Sequence, residues 1–257
     1  MARIFITGSA DGLGKWTAQS LVPGGHTVIL HARHEKRGGE ALAAIPGAGG
    51  VITGDLSSIK ETIEIAERVN GMGVFDAVIH NAGVGYGDHK KIMTVDGLAH
   101  IFAINALAPY LLTSLIEKPK RLIYISSGLH RQGNPAIDDI GWQSKPWNAS
   151  NAYADSKLYN VLLAFAVARK WPAVFSNAVD PGWVPTKMGG RSAPDSPEDG
   201  VKTQVWLATS DDEMALVSGQ YFYHKKPRVP VAAALDQDIQ ERFLEECRKL
   251  SGISLPV

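Results

Sequence analysis

Tyr153 and Lys157 stand four residues apart in Tyr153-Ala154-Asp155-Ser156-Lys157. On a helix that spacing puts both side chains on one face, where they can interact. A free phenol titrates near 10, too high to exchange protons readily at neutral pH. A neighbouring ammonium favours the phenolate and lowers that value. The pair can then serve as general acid toward a ketone or as general base toward an alcohol. Taken alone the spacing is common and usually structural; its company gives it weight. Ser126 and Ser127 close the apolar run Arg121–Ile125. At the carboxyl end of a parallel strand they would face a ligand crevice, where a hydroxyl can hold a carbonyl and stabilise charge growing on its oxygen.

A second group of residues suits a phosphate. Gly8, Gly12 and Gly14 lie in Thr7-Gly8-Ser9-Ala10-Asp11-Gly12-Leu13-Gly14, where an apolar run at Ile4–Thr7 gives way to a helical pattern. Glycine permits the tight turn and lets the backbone approach a pyrophosphate, and the helix N-terminus offers free N–H groups. The next apolar run ends His31-Ala32-Arg33-His34, without the carboxylate that would accept from a ribose 2′-hydroxyl. Arg33 suits a 2′-phosphate through charge-assisted bonds, with Lys15, Lys36 and Arg37 adding positive field. The expected cofactor is NADP(H) rather than NAD(H); no metal is invoked.

These residues need elements to position them. Short apolar runs at 4–7, 27–31, 50–53, 75–80, 121–126, 175–179 and 220–223 alternate with helical patterns at 12–22, 35–45, 58–70, 92–117, 151–170, 198–209 and 236–250. Unbroken apolar runs suit strands covered on both faces, and the alternation predicts α/β, a doubly wound Rossmann-type domain spanning 1–257, with a parallel sheet of about seven strands. Segments 128–150 and 182–198 read as loops.

Bulk properties narrow the partners. Among 257 residues, Lys plus Arg and Asp plus Glu number 26 each, with no basic stripe, so nucleic acid is a poor partner. Cys247 is the only cysteine, which excludes an internal disulfide. A strand signal begins almost at once, leaving no room for a signal peptide, and no apolar run approaches the roughly 18 residues needed to span a bilayer. A cytoplasmic protein without a membrane partner is expected.

In order and spacing these motifs together resemble the short-chain dehydrogenase/reductase family over most of the chain, and its retinol-dehydrogenase-like branch in particular. Thr7-Gly8 with Gly12 and Gly14 is similar to the family's cofactor turn, which Ser9, Asp11 and Leu13 complete. Asp55-Leu56 resembles the pair that contacts adenine, and Asn81-Ala82-Gly83 the motif after the fourth strand. Asn105, Ser127, Tyr153 and Lys157 match the catalytic set, and Pro181-Gly182 with Val184 and Thr186 resembles the segment lining the nicotinamide. The resemblance implies that Tyr153 donates the proton, Ser127 orients the carbonyl, and Lys157 lowers the Tyr153 pKa and bonds the cofactor ribose. Asn105 would complete a proton relay, and the hydride would come from the nicotinamide. Twenty-five residues separate Ser127 from Tyr153, more than in simpler members, and Asp180 stands where the branch often has His. The stretch Pro181–Gly190 also resembles daunorubicin C-13 ketoreductase-like bacterial reductases.

The implied substrate is a small-molecule ketone or aldehyde, or the corresponding alcohol. Trp142 and Trp147 in 128–150, with Trp183 and Met188 in the next loop, either build a broad apolar pocket or merely pin the loops. His130 and Arg131 either meet a polar substrate group or, as the commoner outcome, sit in a solvated loop. Gly, Pro and Ser in 189–197 suggest a lid. The helix at 151–170 is apolar nearly all round; a homodimer interface or the C-terminal segment must cover it, the latter giving a monomer. A non-catalytic NADP(H) sensor would not need Asn105, Ser127, Tyr153 and Lys157 together. An epimerase or dehydratase would need a larger segment after Asp180.

Overall fold

The computed structural model describes residues 1–85 and 90–257. Its strands are β1 (Arg3–Ile6), β2 (Thr27–Ala32), β3 (Gly50–Thr53), β4 (Ala77–His80), β5 (Arg121–Ile125), β6 (Phe175–Asp180), β7 (Gln220–Tyr223) and β8 (Lys226–Arg228). They form one sheet in the order β3-β2-β1-β4-β5-β6-β7-β8. Every pairing is parallel except β7 with β8. The sheet is therefore the seven-stranded parallel one expected from sequence, plus an antiparallel edge strand. That strand escapes a sequence reading because its turn, His224-Lys225, has φ of 48° and 61° without a glycine or asparagine to signal it.

The strand order reverses direction between β1 and β4, which opens a crevice at the carboxyl ends of the strands. Alternate residues of each strand face opposite layers. Phe5, Val78, Leu122 and Tyr124 join one core, with α3 (Ile59–Gly71), α5 (Ala108–Leu115), α6 (Ala149–Lys170) and α8 (Gln237–Ser251). Ile4, Ile6, Ile79 and Ile123 join the other, beneath α1 (Gly12–Leu21), α2 (Glu35–Ala44) and α7 (Pro197–Thr209).

The pattern at 92–117 is shorter and broken. Residues before His100 are occupied by a turn at Val95-Asp96, closed by a bridge between Met93 and Ala99. The helical segment then runs as α4 (His100–Phe102), a π turn (Ala103–Leu107) and α5, so the inserted π register falls at Asn105. Helix α6 is buried from Ala152 through Ala164. The C-terminal segment covers it: Phe243 stacks on Tyr159 at 5.1 Å, and Glu241 pairs with Lys170 at 3.0 Å. The Tyr110 hydroxyl and the Trp171 indole donate to the Ile253 and Pro256 carbonyls, both at 2.7 Å.

Candidate active site

The glycine turn is held by side chains that its spacing does not reveal. Gly8 has φ of 63°, and a Cβ there would lie 2.8 Å from Ala82 Cα, so only glycine fits. Its N–H donates to His31 Nδ1 at 3.0 Å, and the Nε2 of the same ring lies 3.1 Å from the Gly54 carbonyl. These partners require Nε2 to carry the proton. His31 thus bridges the turn after β1 to the end of β3, and burial pushes its pKa down to about 4, keeping it neutral. Thr7 Oγ1 accepts the N–H groups of Asn81 and Ala82 at 2.9 and 3.0 Å, tying the same turn to the end of β4. Gly14 serves packing: a Cβ there would meet Asn81 Nδ2 at 2.4 Å. Ser9 is fully buried and donates to the Ile6 carbonyl at 3.0 Å. Neither Ser9 nor Gly14, both expected from sequence at the cofactor turn, is among the residues lining the cleft.

A single cleft of 1090 Å³ runs over the carboxyl ends of the strands. One end holds Arg33, His34, Arg37, Asp55 and Leu56, and the amino end of α1 presents Gly12 and Leu13 at the middle. Arg33 is largely exposed, with its Nε 4.0 Å from the Asp55 carboxylate. Arg37 reaches Asp11 at 3.3 Å, so the positive field comes from Arg33 and Arg37; Lys15 and Lys36 do not line the cleft.

At the other end Tyr153, Lys157 and Ser127 share one wall. Helix α6 carries the first two on one face, with Lys157 Nζ 5.4 Å from the Tyr153 ring centroid. Lys157 Nζ donates to the Ile125 carbonyl at 3.0 Å. Complete burial pushes its pKa down to about 8, opposed by the Asp180 charge. The two serines are not equivalent. Ser126 Oγ is spent on the Lys157 carbonyl at 2.8 Å. Ser127 Oγ accepts the Leu129 N–H at 3.2 Å, which leaves its own proton for an acceptor in the cleft. Asn105 stands behind this wall rather than in it. Its Oδ1 accepts the Val84 N–H at 2.8 Å, and its Nδ2 donates to the Val84 carbonyl and to Ser156 Oγ, both at 3.0 Å. The side chain is thereby committed to fixing the loop after Gly83, so any part in a relay falls to its backbone.

A dinucleotide requires an anion-compatible helix end, a basic or polar ribose end and continuous space leading to a proton donor. All three occur in this cleft. The model of short-chain dehydrogenases matches residues 2–138. The short-chain dehydrogenase chyC of Penicillium rubens is 44% identical over the full length of both chains. The chain belongs to the short-chain dehydrogenase family. It is an oxidoreductase, and the family binds NAD(H) or NADP(H). Human retinol dehydrogenase 13 is 31% identical, with 98% of this chain and 85% of that protein covered, in keeping with the retinol-dehydrogenase-like branch. An uncharacterised protein of Mycobacterium paratuberculosis shares the fold, with a TM-score of 0.86 at 24% identity over 100% of this chain and 96% of its own.

The two loops beside the cleft send their side chains to different places. Segment 128–150 does not bring its tryptophans to the cleft. Trp142 is buried and donates its indole N–H to Asp155 at 3.1 Å, and Trp147 packs edge-on against it at 5.5 Å. Both pin the segment to α6. Asp155, buried two residues beyond Tyr153, also accepts the Asn134 N–H at 2.8 Å and pairs with Lys145 at 3.3 Å. A second carboxylate, Asp139, accepts the N–H groups of Gln143, Ser144 and Lys145. His130 is wholly buried and matches neither the substrate-contact nor the solvated reading, whereas Arg131 is an exposed loop residue, as the commoner reading expects, with its guanidinium donating to the Val229 carbonyl.

The following loop does reach the cleft. Trp183 and Met188 line it, with Trp183 Nε1 donating to the Gly189 carbonyl at 2.7 Å. Lys187 pairs with Asp11 and holds that carboxyl below its ordinary range, while Thr186 rests against Gly12. Pro181, Gly182 and Val184 line the same wall.

Proposed function

We propose that this oxidoreductase reduces a bulky, largely apolar ketone or aldehyde with NADPH. Three observations favour NADPH over NADH: the Arg33 and Arg37 guanidiniums at the β2 end of the cleft, and no acidic side chain ending β2. Bound there, the nicotinamide would supply the hydride. Gly8, Gly12 and Leu13 would hold the pyrophosphate, Asp55 and Leu56 the adenine side, and Asn81, Ala82 and Gly83 the far edge. Lys157 would hold the ribose, and Pro181, Gly182, Val184 and Thr186 the nicotinamide wall. Ser127 donates its proton toward the substrate oxygen, and Tyr153 delivers a proton to that oxygen as its charge develops. Lys157, kept positive by Asp180, makes that phenol a better acid.

The observation that carries this reading is the convergence of Tyr153, Lys157 and Ser127 on one wall of the cleft whose other end holds the guanidiniums. Val84, Leu129, Trp183 and Met188 around that wall suit a bulky apolar substrate. The human relative's name, retinol dehydrogenase, points to an alcohol of the same kind. The cover that the C-terminal segment gives α6 supports a monomer, and 187–197 is the segment proposed to close as a lid. No helix among the described residues is long and apolar enough to cross a membrane; a cytoplasmic setting belongs to the same proposal.

The test follows NADPH absorbance across small aldehydes, steroid-like ketones and aromatic polyketides. Turnover with at least one is expected, reduced about 10²–10⁴-fold by Tyr153→Phe. No oxidation of NADPH by any of them, or full activity in Tyr153→Phe, would remove the reading.

A further inference from the structure

His130 follows Ser127 by three residues in a short 3₁₀ turn, Gly128–Gln132, and its side chain is completely buried. Its two ring nitrogens face opposite ways. Nε2 lies 3.1 Å from the backbone N–H of Val231, a group that can only donate. Nε2 must therefore be bare, and Nδ1 must carry the proton. Nδ1 lies 2.8 Å from the Ser127 carbonyl, which also accepts the His130 N–H at 3.0 Å. The ring packs on Tyr221 at 4.6 Å, and the Tyr221 hydroxyl donates to Asp180 Oδ2 at 3.2 Å. Asp180 in turn accepts the Gly182 N–H at 3.0 Å and lines the cleft. The carbonyl end of Ser127 is thus fastened, through one tautomer of one imidazole, to a segment about a hundred residues further along the chain.

We propose that His130 is a positioning residue for Ser127, holding the serine backbone so that its hydroxyl proton points into the cleft. This inference rests on the reading of Ser127 as the group that holds the substrate carbonyl. A serine fixed only by the Leu129 N–H to its Oγ could rotate about the strand end. The double acceptance at its carbonyl removes that freedom before substrate arrives, which is what orientation in catalysis demands. Neutrality is part of the device. A second ring proton would point at the Val231 N–H, and burial already holds the His130 pKa below the ordinary histidine value, against the Asp180 charge.

Two near-isosteres separate positioning from mere packing. In His130→Asn the amide nitrogen falls near the place of Nδ1, so donation to Ser127 survives and the bond to Val231 is lost. In His130→Gln the amide oxygen falls near the place of Nε2, so the Val231 bond survives and donation to Ser127 is lost. Both lose the ring contact with Tyr221. The two variants and Ser127→Ala are compared by thermal melting, by NADPH fluorescence titration, and by kcat and KM with the best carbonyl compound of the panel.

His130→Gln is expected to lose about tenfold or more in kcat at unchanged NADPH affinity, because a small misplacement of a catalytic group is costly. His130→Asn should stay within about threefold of the parent while melting no higher than His130→Gln. A packing role alone would make activity follow melting temperature. Equal kcat in the two variants, or an order that tracks their melting, overturns the inference. If Ser127→Ala retains parental kcat, the reading of Ser127 fails and this inference fails with it. Loss in Ser127→Ala with equal rates in the His130 pair refutes the positioning role alone. Should His130→Gln not bind NADPH, Val231→Pro takes its place. Val231 has φ of −62°, which proline adopts, and the substitution removes the N–H that fixes the tautomer while keeping an apolar side chain against the core. Because donation from His130 to Ser127 survives there, kcat is expected to stay within about threefold of the parent, as in His130→Asn, and a tenfold loss at unchanged NADPH affinity overturns the proposal.

Discussion

The chemistry proposed for this cleft depends on a cation kept at a cost. Lys157 is buried and its pKa is pushed down to about 8 from 10.5. Below pH 8 both the folded and the unfolded chain hold the proton, so the full desolvation penalty weighs on the folded state. Between 8 and 10.5 the folded protein has shed the proton and the unfolded chain has not, and the penalty fades as pH rises. Lys157→Met should therefore raise unfolding stability at pH 7 by about 2 kcal/mol, with the gain vanishing toward pH 10.5. The Ile125 carbonyl keeps a donor in that variant, since Asn160 Nδ2 also reaches it at 3.3 Å. Under the proposed mechanism activity is expected to move the other way: without the ammonium beside Tyr153, the pH at half-maximal alcohol oxidation should rise. Urea melts at pH 7 and 9.5 beside pH–rate profiles check both halves, and an unchanged pH midpoint would separate Lys157 from the phenol. At the other end of the cleft, Arg33→Ala should raise KM for NADPH about tenfold and leave KM for NADH nearly unchanged, as loss of one charge-assisted contact to a phosphate predicts. Steady-state kinetics with each cofactor decide it.

At the scale of elements, helix α6 carries both the proposed proton-handling pair and the anchor for the segment in front of it. Tyr153, Asp155 and Lys157 fall within five consecutive residues, yet Asp155 faces away from the cleft toward 134–145. That segment holds Ile137, Asp139 and Trp142 at φ of 52°, 45° and 53°, conformations that non-glycine residues adopt only when surrounding bonds enforce them. Asp155→Asn removes the charge that receives Lys145 and sets an amide against a donor. It should destabilise the fold by about 2–3 kcal/mol and expose 134–145 to limited proteolysis. Parental melting with an intact segment would show the carboxylate to be dispensable. The functional weight of Asp155 and His130 was not legible in sequence, because both act through bonds to residues whose distance along the chain carries no periodic signal. The opposite holds for Gly8, Gly12, Tyr153 and Lys157, whose proposed roles follow from local backbone freedom and helical spacing.

The whole molecule uses its C-terminal segment to cover α6. Phe243 is fully buried against Tyr159, and the Tyr110 and Trp171 side chains reach the carbonyls of Ile253 and Pro256. Sedimentation is accordingly expected to give one species near 27.6 kDa. Phe243→Ala should cost about 3–5 kcal/mol by leaving a cavity over α6, and it should promote self-association as that apolar face loosens. A stable dimer for the parent chain would show that surfaces other than this covered one associate.

Composition, apolar periodicity and the glycine turn determined the alternating α/β order, the parallel sheet and the chemical kind of the site, because each is written in neighbouring residues. Tertiary structure alone decided that the Ser126 hydroxyl is spent on the Lys157 carbonyl, that Asn105 is spent on Val84 and Ser156, and that the tryptophans of 128–150 fasten a loop. It also decided that two neutral histidines fix the turns after β1 and β5. Those outcomes are hydrogen-bond assignments between segments far apart along the chain. A buried donor or acceptor must find a partner, but only the folded geometry says which one it finds.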